Sequence, residues 1–214
     1  MTRRLPDVAL MLVTDAAMTA ARGLVATVLA AVEGGATMVQ LRDKTAPDLV
    51  LVEVAQALKS RLAPLGVPLI VNDRVAVARA AQADGVHLGQ TDGDPAAARA
   101  VMGPDALIGL SVSSSDEAAA VDPKLVDYAG LGPVFATPTK PDAGLPLGLE
   151  GVRRLRSLLP LPALAIGGID RNNAQAVVSA GADGIAVVSA ICAASDPRAA
   201  TAELRRAIVE GRRR

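Results

Sequence analysis

The sequence is short of several residues on which many proteins of its size rely. Among 214 residues there is no tryptophan, one tyrosine (Tyr128) and one phenylalanine (Phe135), so Ala, Val, Leu and Ile must fill the interior. Branched aliphatics of that kind suit parallel strands covered on both faces. The single cysteine, Cys192, excludes an internal disulfide, and with His87 as the sole histidine no Cys/His cluster has the spacing of a structural zinc site. Cys192 reads as a small buried hydrophobe. Net charge is also lacking: 22 basic residues balance 22 acidic ones, leaving no overall field to attract nucleic acid, so any anion site must be local.

Long apolar runs are missing too, since no uninterrupted stretch reaches the roughly 18 residues that spanning a bilayer requires. The opening "MTRRLPDVALMLVTD" starts like a signal peptide. Its apolar run of about six residues is bounded by Asp7 and Asp15 and has no cleavage pattern, so it reads as a first strand and the expected location is cytoplasmic. Chains of roughly 200–250 residues form α/β barrels as one domain, and residues 1–214 are expected to do so. A homo-oligomer stays open.

What is present is a repeated cadence. "AAQADGVHLGQ" (Ala80–Gln90) parallels "SAGADGIAVVSA" (Ser179–Ala190), and "EGGATMVQL" and "LVDYAGLG" follow more loosely; each joins a helix tail, a small-residue turn and an apolar run. The apolar runs predict eight strands near 8–13, 37–41, 68–72, 84–88, 107–111, 127–131, 163–167 and 184–188. Ala-rich amphipathic segments fill most intervals, such as Pro47–Leu62 after Thr45 and Asn172–Ala180 after Asp170. This alternation predicts a single (β/α)₈ barrel. An open doubly wound sheet would alternate as well, but the G-x-G-x-x-G fingerprint after a first strand is missing. Asp84 and Asp183 recur in the "ADG" turns and read as turn and helix-end structure.

In such a barrel the chemistry lies at the C-terminal ends of the strands, and seven of the eight predicted strands end in polar or glycine groups. In "MVQLRDK" the side chains of Gln40, Arg42 and Lys44 alternate along one face. "NDR" (Asn72, Asp73, Arg74), "QTD" (Gln90 to Asp92), Ser111, "TPTK" (Thr137 to Lys140), Gly167-Gly168 and Ser189 follow. Taken alone, "NDR" is better read as a helix N-cap. Arg42, Lys44 and Lys140 are cations suited to several phosphate charges. Asp73 and Asp92 are hard oxygen ligands, and Mg²⁺ commonly sits between one or two carboxylates and substrate phosphates. A magnesium diphosphate accounts for both sets. "AIGGI" and "VVSAI" add backbone N–H groups where barrels often keep a monophosphate.

In order along Leu12–Ile191, "VQLRDK", "VNDR", "GVHLGQTD", "IGLSVS", "YAGLGPVFATPTK", "AIGGI" and "AGADGIAVVSAI" together resemble the thiamine phosphate synthase family. The resemblance implies a Mg²⁺-assisted transferase that couples 4-amino-2-methyl-5-hydroxymethylpyrimidine diphosphate to a thiazole phosphate. By the same resemblance Arg42, Lys44, Asn72, Ser111 and Lys140 would hold the diphosphate, with Arg42, Lys44, Ser111 and Lys140 catalytic. Asp73 and Asp92 would hold Mg²⁺. Thr137 and Thr139, with the backbone near Gly168, Val188 and Ser189, would take the thiazole phosphate, and Gln40 would lie close to the pyrimidine. The chain departs from the family pattern at Met11 and Leu12, where a tyrosine is common, at Ala136 in place of a proline, and at Val112-Ser113-Ser114 after Ser111. His87 reads as structural, because this reaction needs no strong general base. The alternatives are a thiazole tautomerase-like relative, another phosphate-binding barrel enzyme such as a sugar-phosphate isomerase, or a protein that binds the precursors without turnover.

Overall fold

The computed structural model describes residues 7–139 and 144–213. Eight parallel strands close into a barrel in sequence order: β1 (Leu10–Val13), β2 (Met38–Leu41), β3 (Leu69–Asn72), β4 (Gly85–Leu88), β5 (Leu107–Val112), β6 (Tyr128–Leu131), β7 (Ala163–Ile166) and β8 (Gly184–Val187). The helices between and after them are α1 (Ala16–Thr19), α2 (Leu24–Glu33), α3 (Asp48–Leu62), α4 (Val75–Ala80), α5 (Pro95–Met102), α6 (Ser115–Ala119), α7 (Gly148–Leu158), α8 (Ala174–Ser179), α9 (Ser189–Cys192) and α10 (Pro197–Arg212). Each strand falls on an apolar run expected to form one, and the (β/α)₈ expectation holds. Among the described residues no helix is long and apolar enough to cross a membrane.

Alternation along each strand sorts side chains into two cores. Outward residues such as Leu12, Val39, Val71, Val86, Ile108 and Ala165 pack with the helices in one continuous cluster. Inward residues, among them Met11, Met38, Ile70, Leu107, Tyr128 and Leu164, fill the lower barrel as a second cluster. Burying the strands on both faces is what their near-continuous hydrophobicity requires. Aliphatics make up most of the inner filling, yet Tyr128 is wholly buried there and heads the largest fully buried side chains.

Two local expectations shift. The helix expected at Asn172–Ala180 begins at Ala174, because the Asp170 carboxylate accepts the Asn172 N–H at 2.7 Å and holds residues 171–173 in a turn. The helix expected from Pro47 begins at Asp48, with Pro47 as its extended cap residue (ψ 149°).

Candidate active site

The C-terminal ends of the strands surround a cavity of about 500 Å³. Gln40, Arg42, Lys44, Asn72, Asp73, Asp92, Ser111, Thr137, Thr139, Gly168, Val188 and Ser189 all line it. Lys140 lies outside the described residues. Asn72, Ser111 and Gln40 sit within β3, β5 and β2, inside the spans 68–72, 107–111 and 37–41 expected for those strands. The strands run past the end of the apolar filling, so their last inward positions face the cavity. Gln40 is buried, and its amide Nε2 donates to the Met11 sulfur at 3.6 Å.

Asp73 directly follows β3 with φ 60°, a left-handed conformation that aspartate tolerates better than most residues. Its N–H donates to the His87 carbonyl at 2.8 Å, which extends the β3–β4 pairing one residue past the strand. "NDR" is therefore not a capping motif: Arg74 occupies the α4 cap position and makes no side-chain cap bond. The Asp92 carboxylate accepts the Gly89 N–H at 2.9 Å and meets Asp73. Burial first, then the hydrogen bond and like charge of Asp92, push the Asp73 carboxyl up to about 6, while Lys44 and Asn72 act in the other direction. Two carboxylates this close repel unless a proton or a cation lies between them. Mg²⁺ binds one or two carboxylates and completes its shell with water and phosphate oxygens, so this pair fits it. Among the described residues no group of three or more His, Cys, Asp or Glu side chains gathers. Water and phosphate oxygens are the usual remaining ligands of such a site.

The cationic loop beside this pair is held from below. Thr14, wholly buried at the end of β1, accepts the Arg42 N–H at 3.0 Å and donates to the Arg42 carbonyl at 3.4 Å. The Asp43 carboxylate accepts from the Thr45 N–H, the Thr45 hydroxyl and the Ala46 N–H at 2.9–3.0 Å. These three bonds lower its pKa and close the turn that carries Lys44. Arg74 then clamps the loop, donating to the carbonyls of Ala46 (2.6 Å) and Asp43 (3.2 Å) and pairing with Asp48 (2.9 Å). Thr14 was not among the sequence-predicted residues, and Arg74 was named there only as part of "NDR", without a role. Their signals were a polar residue ending an apolar strand, and an arginine next to a candidate metal ligand.

The opposite wall is mostly backbone. Val134 and Phe135 donate their N–H groups to the carbonyls of Ile166 and Gly167 at 2.8 and 3.0 Å, zipping the loop after β6 onto the end of β7. Gly167 and Gly168 have φ of 105° and 63°, and a Cβ on Gly168 would sit 2.7 Å from the Ala136 carbonyl oxygen, so only glycine permits this approach. Asn173 Nδ2 donates to the Gly168 carbonyl at 2.9 Å. Beside it α9 starts at Ser189, where the N–H groups of Ser189 and Ala190 precede the first helical bonds, made by Ile191 and Cys192 to the Val188 carbonyl, and favour an anion. Thr139 donates its N–H to the Thr137 hydroxyl at 3.3 Å, folding that loop over the same side. Cys192 lies outside this machinery, with its thiol donating to the Val13 carbonyl at 3.6 Å and burial pushing its pKa up to about 11.

Comparison with known proteins agrees with this arrangement. The thiamine monophosphate synthase family matches residues 10–191. A thiamine-phosphate synthase of Azorhizobium caulinodans is 56 % identical over 207 residues, covering 97 % of this chain and 98 % of its own. One from Xanthobacter autotrophicus is 58 % identical over 206 residues, covering 96 % and 98 %. The solved thiamine phosphate pyrophosphorylase from Pyrococcus furiosus superposes with a TM-score of 0.88 at 40 % identity, over 96 % of this chain and 98 % of its own. With a match of this extent and relatives of more than half identity, the chain belongs to the thiamine monophosphate synthase family of transferase enzymes.

Proposed function

We propose that this enzyme joins 4-amino-2-methyl-5-hydroxymethylpyrimidine diphosphate to a thiazole phosphate, forming thiamine phosphate and releasing inorganic diphosphate, in the cytoplasm. The observation that carries the reading is the division of the cavity wall. Arg42, Lys44 and the Asp73–Asp92 pair line one side, and the glycine backbone and the α9 start line the other. A diphosphate and a monophosphate need two such unlike sites at once.

In this reading Arg42 grips phosphate oxygens with its planar fork and Lys44 adds a point charge, joined by Lys140, while Asn72 and Ser111 supply hydrogen bonds. Asp73 and Asp92 would hold Mg²⁺, which when bound supplies positive charge to the diphosphate. The bond between the exocyclic carbon and the diphosphate oxygen breaks with both electrons leaving on oxygen. The aminopyrimidine delocalises the resulting cation, Gln40 lies close to its ring, and the thiazole nitrogen lone pair forms the new C–N bond. No side-chain nucleophile is demanded. The chain stabilises charge on the leaving group, a contact worth about 3–4 kcal/mol in the transition state. It also aligns the thiazole through Thr137, Thr139 and the backbone at Gly168, Val188 and Ser189.

The test is to mix the purified enzyme with both substrates and Mg²⁺ and to follow thiamine phosphate together with diphosphate, which should appear in equal amounts. Conversion of a thiazole phosphate without the pyrimidine would make it a tautomerase-like relative, and binding of both without product would make it a carrier. Thr139→Val should raise the KM for thiazole phosphate and leave that for the pyrimidine diphosphate nearly unchanged. An effect confined to the pyrimidine substrate would reverse the two sites.

A further inference from the structure

We propose that Tyr128 and His87 are positioning residues that set the direction of the Ser111 hydroxyl, making it a hydrogen-bond donor into the cavity. The inference rests on the reading above that Ser111 faces the diphosphate. Three adjacent strands bring the groups together: His87 from β4, Ser111 from β5 and Tyr128 from β6. His87 Nδ1 lies 3.2 Å from the Tyr128 hydroxyl, and its Nε2 lies 3.0 Å from Ser111 Oγ. The two rings stand 5.5 Å apart, tilted by 35°.

The strands make room for this chain of contacts by omitting a side chain. Gly109 pairs with His87 on one side and with Tyr128 on the other. A Cβ there would come 2.2 Å from Tyr128 Cζ and 2.4 Å from His87 Nδ1, so any other residue would push the rings apart. Gln90 steadies the far end, its Nε2 donating to the Ser111 carbonyl at 2.5 Å.

The direction of the bonds follows from the buried end. Tyr128 is wholly buried, and burial drives its phenol pKa well above the ordinary value, so the hydroxyl keeps its proton. A buried O–H seeks an acceptor, and among the described residues the Nδ1 lone pair, 3.2 Å away, is the one in reach. A neutral imidazole that accepts at Nδ1 carries its hydrogen on Nε2, which therefore donates to Ser111 Oγ. With that lone pair engaged, the serine proton turns toward the cavity that Ser111 lines. A hydroxyl that donates stabilises anionic oxygen, whereas one turned back onto the imidazole would present lone pairs and repel it. Tyr128 thus acts on the substrate through two intervening side chains.

His87 is the chain's sole histidine, so ¹H–¹⁵N spectra of labelled enzyme at pH 8 report a single imidazole. The expected result is the Nε2–H tautomer; a proton on Nδ1, alone or together with one on Nε2, overturns the proposal without any variant having to fold. In Tyr128→Phe the imidazole should shift toward Nδ1–H, and kcat and the affinity for Mg²⁺ with inorganic diphosphate should each fall about tenfold, the scale of one hydrogen bond to a charged group. The KM for thiazole phosphate should not move. Adding Tyr128→Phe to Ser111→Ala should cost nothing further, and full additivity would reduce Tyr128 to a packing role. Absence of turnover in the unaltered enzyme would refute the coupling reading instead, while the tautomer and diphosphate titration still judge the relay.

Discussion

At the N-terminal end of the barrel Asp84, Asp127 and Asp183 each stand one residue before an even-numbered strand, and each carboxylate closes the same two contacts. It accepts a strand N–H, from Leu69, Ile108 or Ala163, in each case at 2.8 Å. It also pairs with a cation from the helix one step back: Lys59 of α3, Arg99 of α5 (2.5 Å) or Arg156 of α7 (2.8 Å). At the C-terminal end Asp73 and Asp92 face one another, and among the described residues neither has an ion pair like these. Below, the chain supplies each of the three carboxylates with a cation and the carboxylates close the barrel. Above, the like charges are set against each other, a repulsion that the proposed Mg²⁺ would relieve. The aspartate type carries no information about which of these it does; its place relative to the strand does.

The largest expected effect breaks the upper pair. Asp73→Asn and Asp92→Asn should each lower turnover by about 10²-fold or more, the scale of one preorganised electrostatic contact, and raise the Mg²⁺ needed for half-maximal rate. An unchanged Mg²⁺ dependence in both would remove the metal assignment. Stability should move the other way. Folding raises the Asp73 pKa from 3.8 to about 6, so the folded chain holds that proton more tightly than the unfolded one. Its stabilising contribution is complete below 3.8 and is lost as pH rises through about 6 when no divalent cation is present. Asp73→Asn should flatten that decline and give a higher Tm than the native chain at pH 8 in chelator, which melting curves across the interval will check.

Next comes the lower ring. Asp127 and Arg99 are only 4 % and 12 % exposed, so Asp127→Asn, which keeps an acceptor for the Ile108 N–H but strips Arg99 of its charge partner, should cost about 3 kcal/mol of unfolding free energy. Asp84→Asn, at a more exposed pair, should cost about 1 kcal/mol or less. Denaturant titration measures both, and neither variant should alter the Mg²⁺ requirement. A changed requirement in either would erase the contrast between the two ends.

Much of this contrast was legible in the residues themselves. Each apolar run became a strand because turn residues bound it and both of its faces are covered, and the recurring "ADG" marked Asp84 and Asp183 as parts of one structural device. The cavity-facing set was legible because a parallel barrel gathers all its strand ends on one rim. Local pattern could not carry the side chains that reach across strands. Arg74 finds its partners 26–31 positions earlier, and Tyr128 meets His87 across 41. Those meetings depend on how strands stagger around the barrel, and neither a period of two nor one of 3.6 encodes stagger.

Arg74 ties the loop after β2 to the loop after β3 on the cationic side of the upper rim, so it sharpens the comparison at a smaller scale. Arg74→Met keeps much of the side-chain bulk but frees the loop bearing Arg42 and Lys44. The KM for the pyrimidine diphosphate should rise about tenfold, the loss of roughly one charged hydrogen bond, with the KM for thiazole phosphate unchanged. Steady-state kinetics with each substrate varied in turn will show it, and equal changes in both would make Arg74 a general stabiliser.

The smallest effect concerns the fourth member of the lower ring. Thr37 stands one residue before β2, where its hydroxyl accepts the Leu10 N–H at 3.0 Å and its own N–H donates to the Leu10 carbonyl at 2.8 Å. These are the strand contacts of the three aspartates, made without a charge. By the same pattern the matching cation should come from α10, the helix after β8. Arg205 of α10 does lie against Gly35, two positions before Thr37, close enough that a Cβ at Gly35 would come 2.9 Å from its Cγ. Its Nη1 is buried and has no hydrogen-bond partner among the described residues. Thr37→Asp should therefore keep the bond to Leu10 and give Arg205 a carboxylate. A partly exposed pair adds about 0.5–1 kcal/mol, which in a domain of this size raises Tm by about 2 °C, with turnover unaffected. Arg205→Met in the same background should abolish the gain. A lower Tm for Thr37→Asp, or a gain that survives the loss of Arg205, would show that the ring has three members by design of its helices and that α10 takes no part in it.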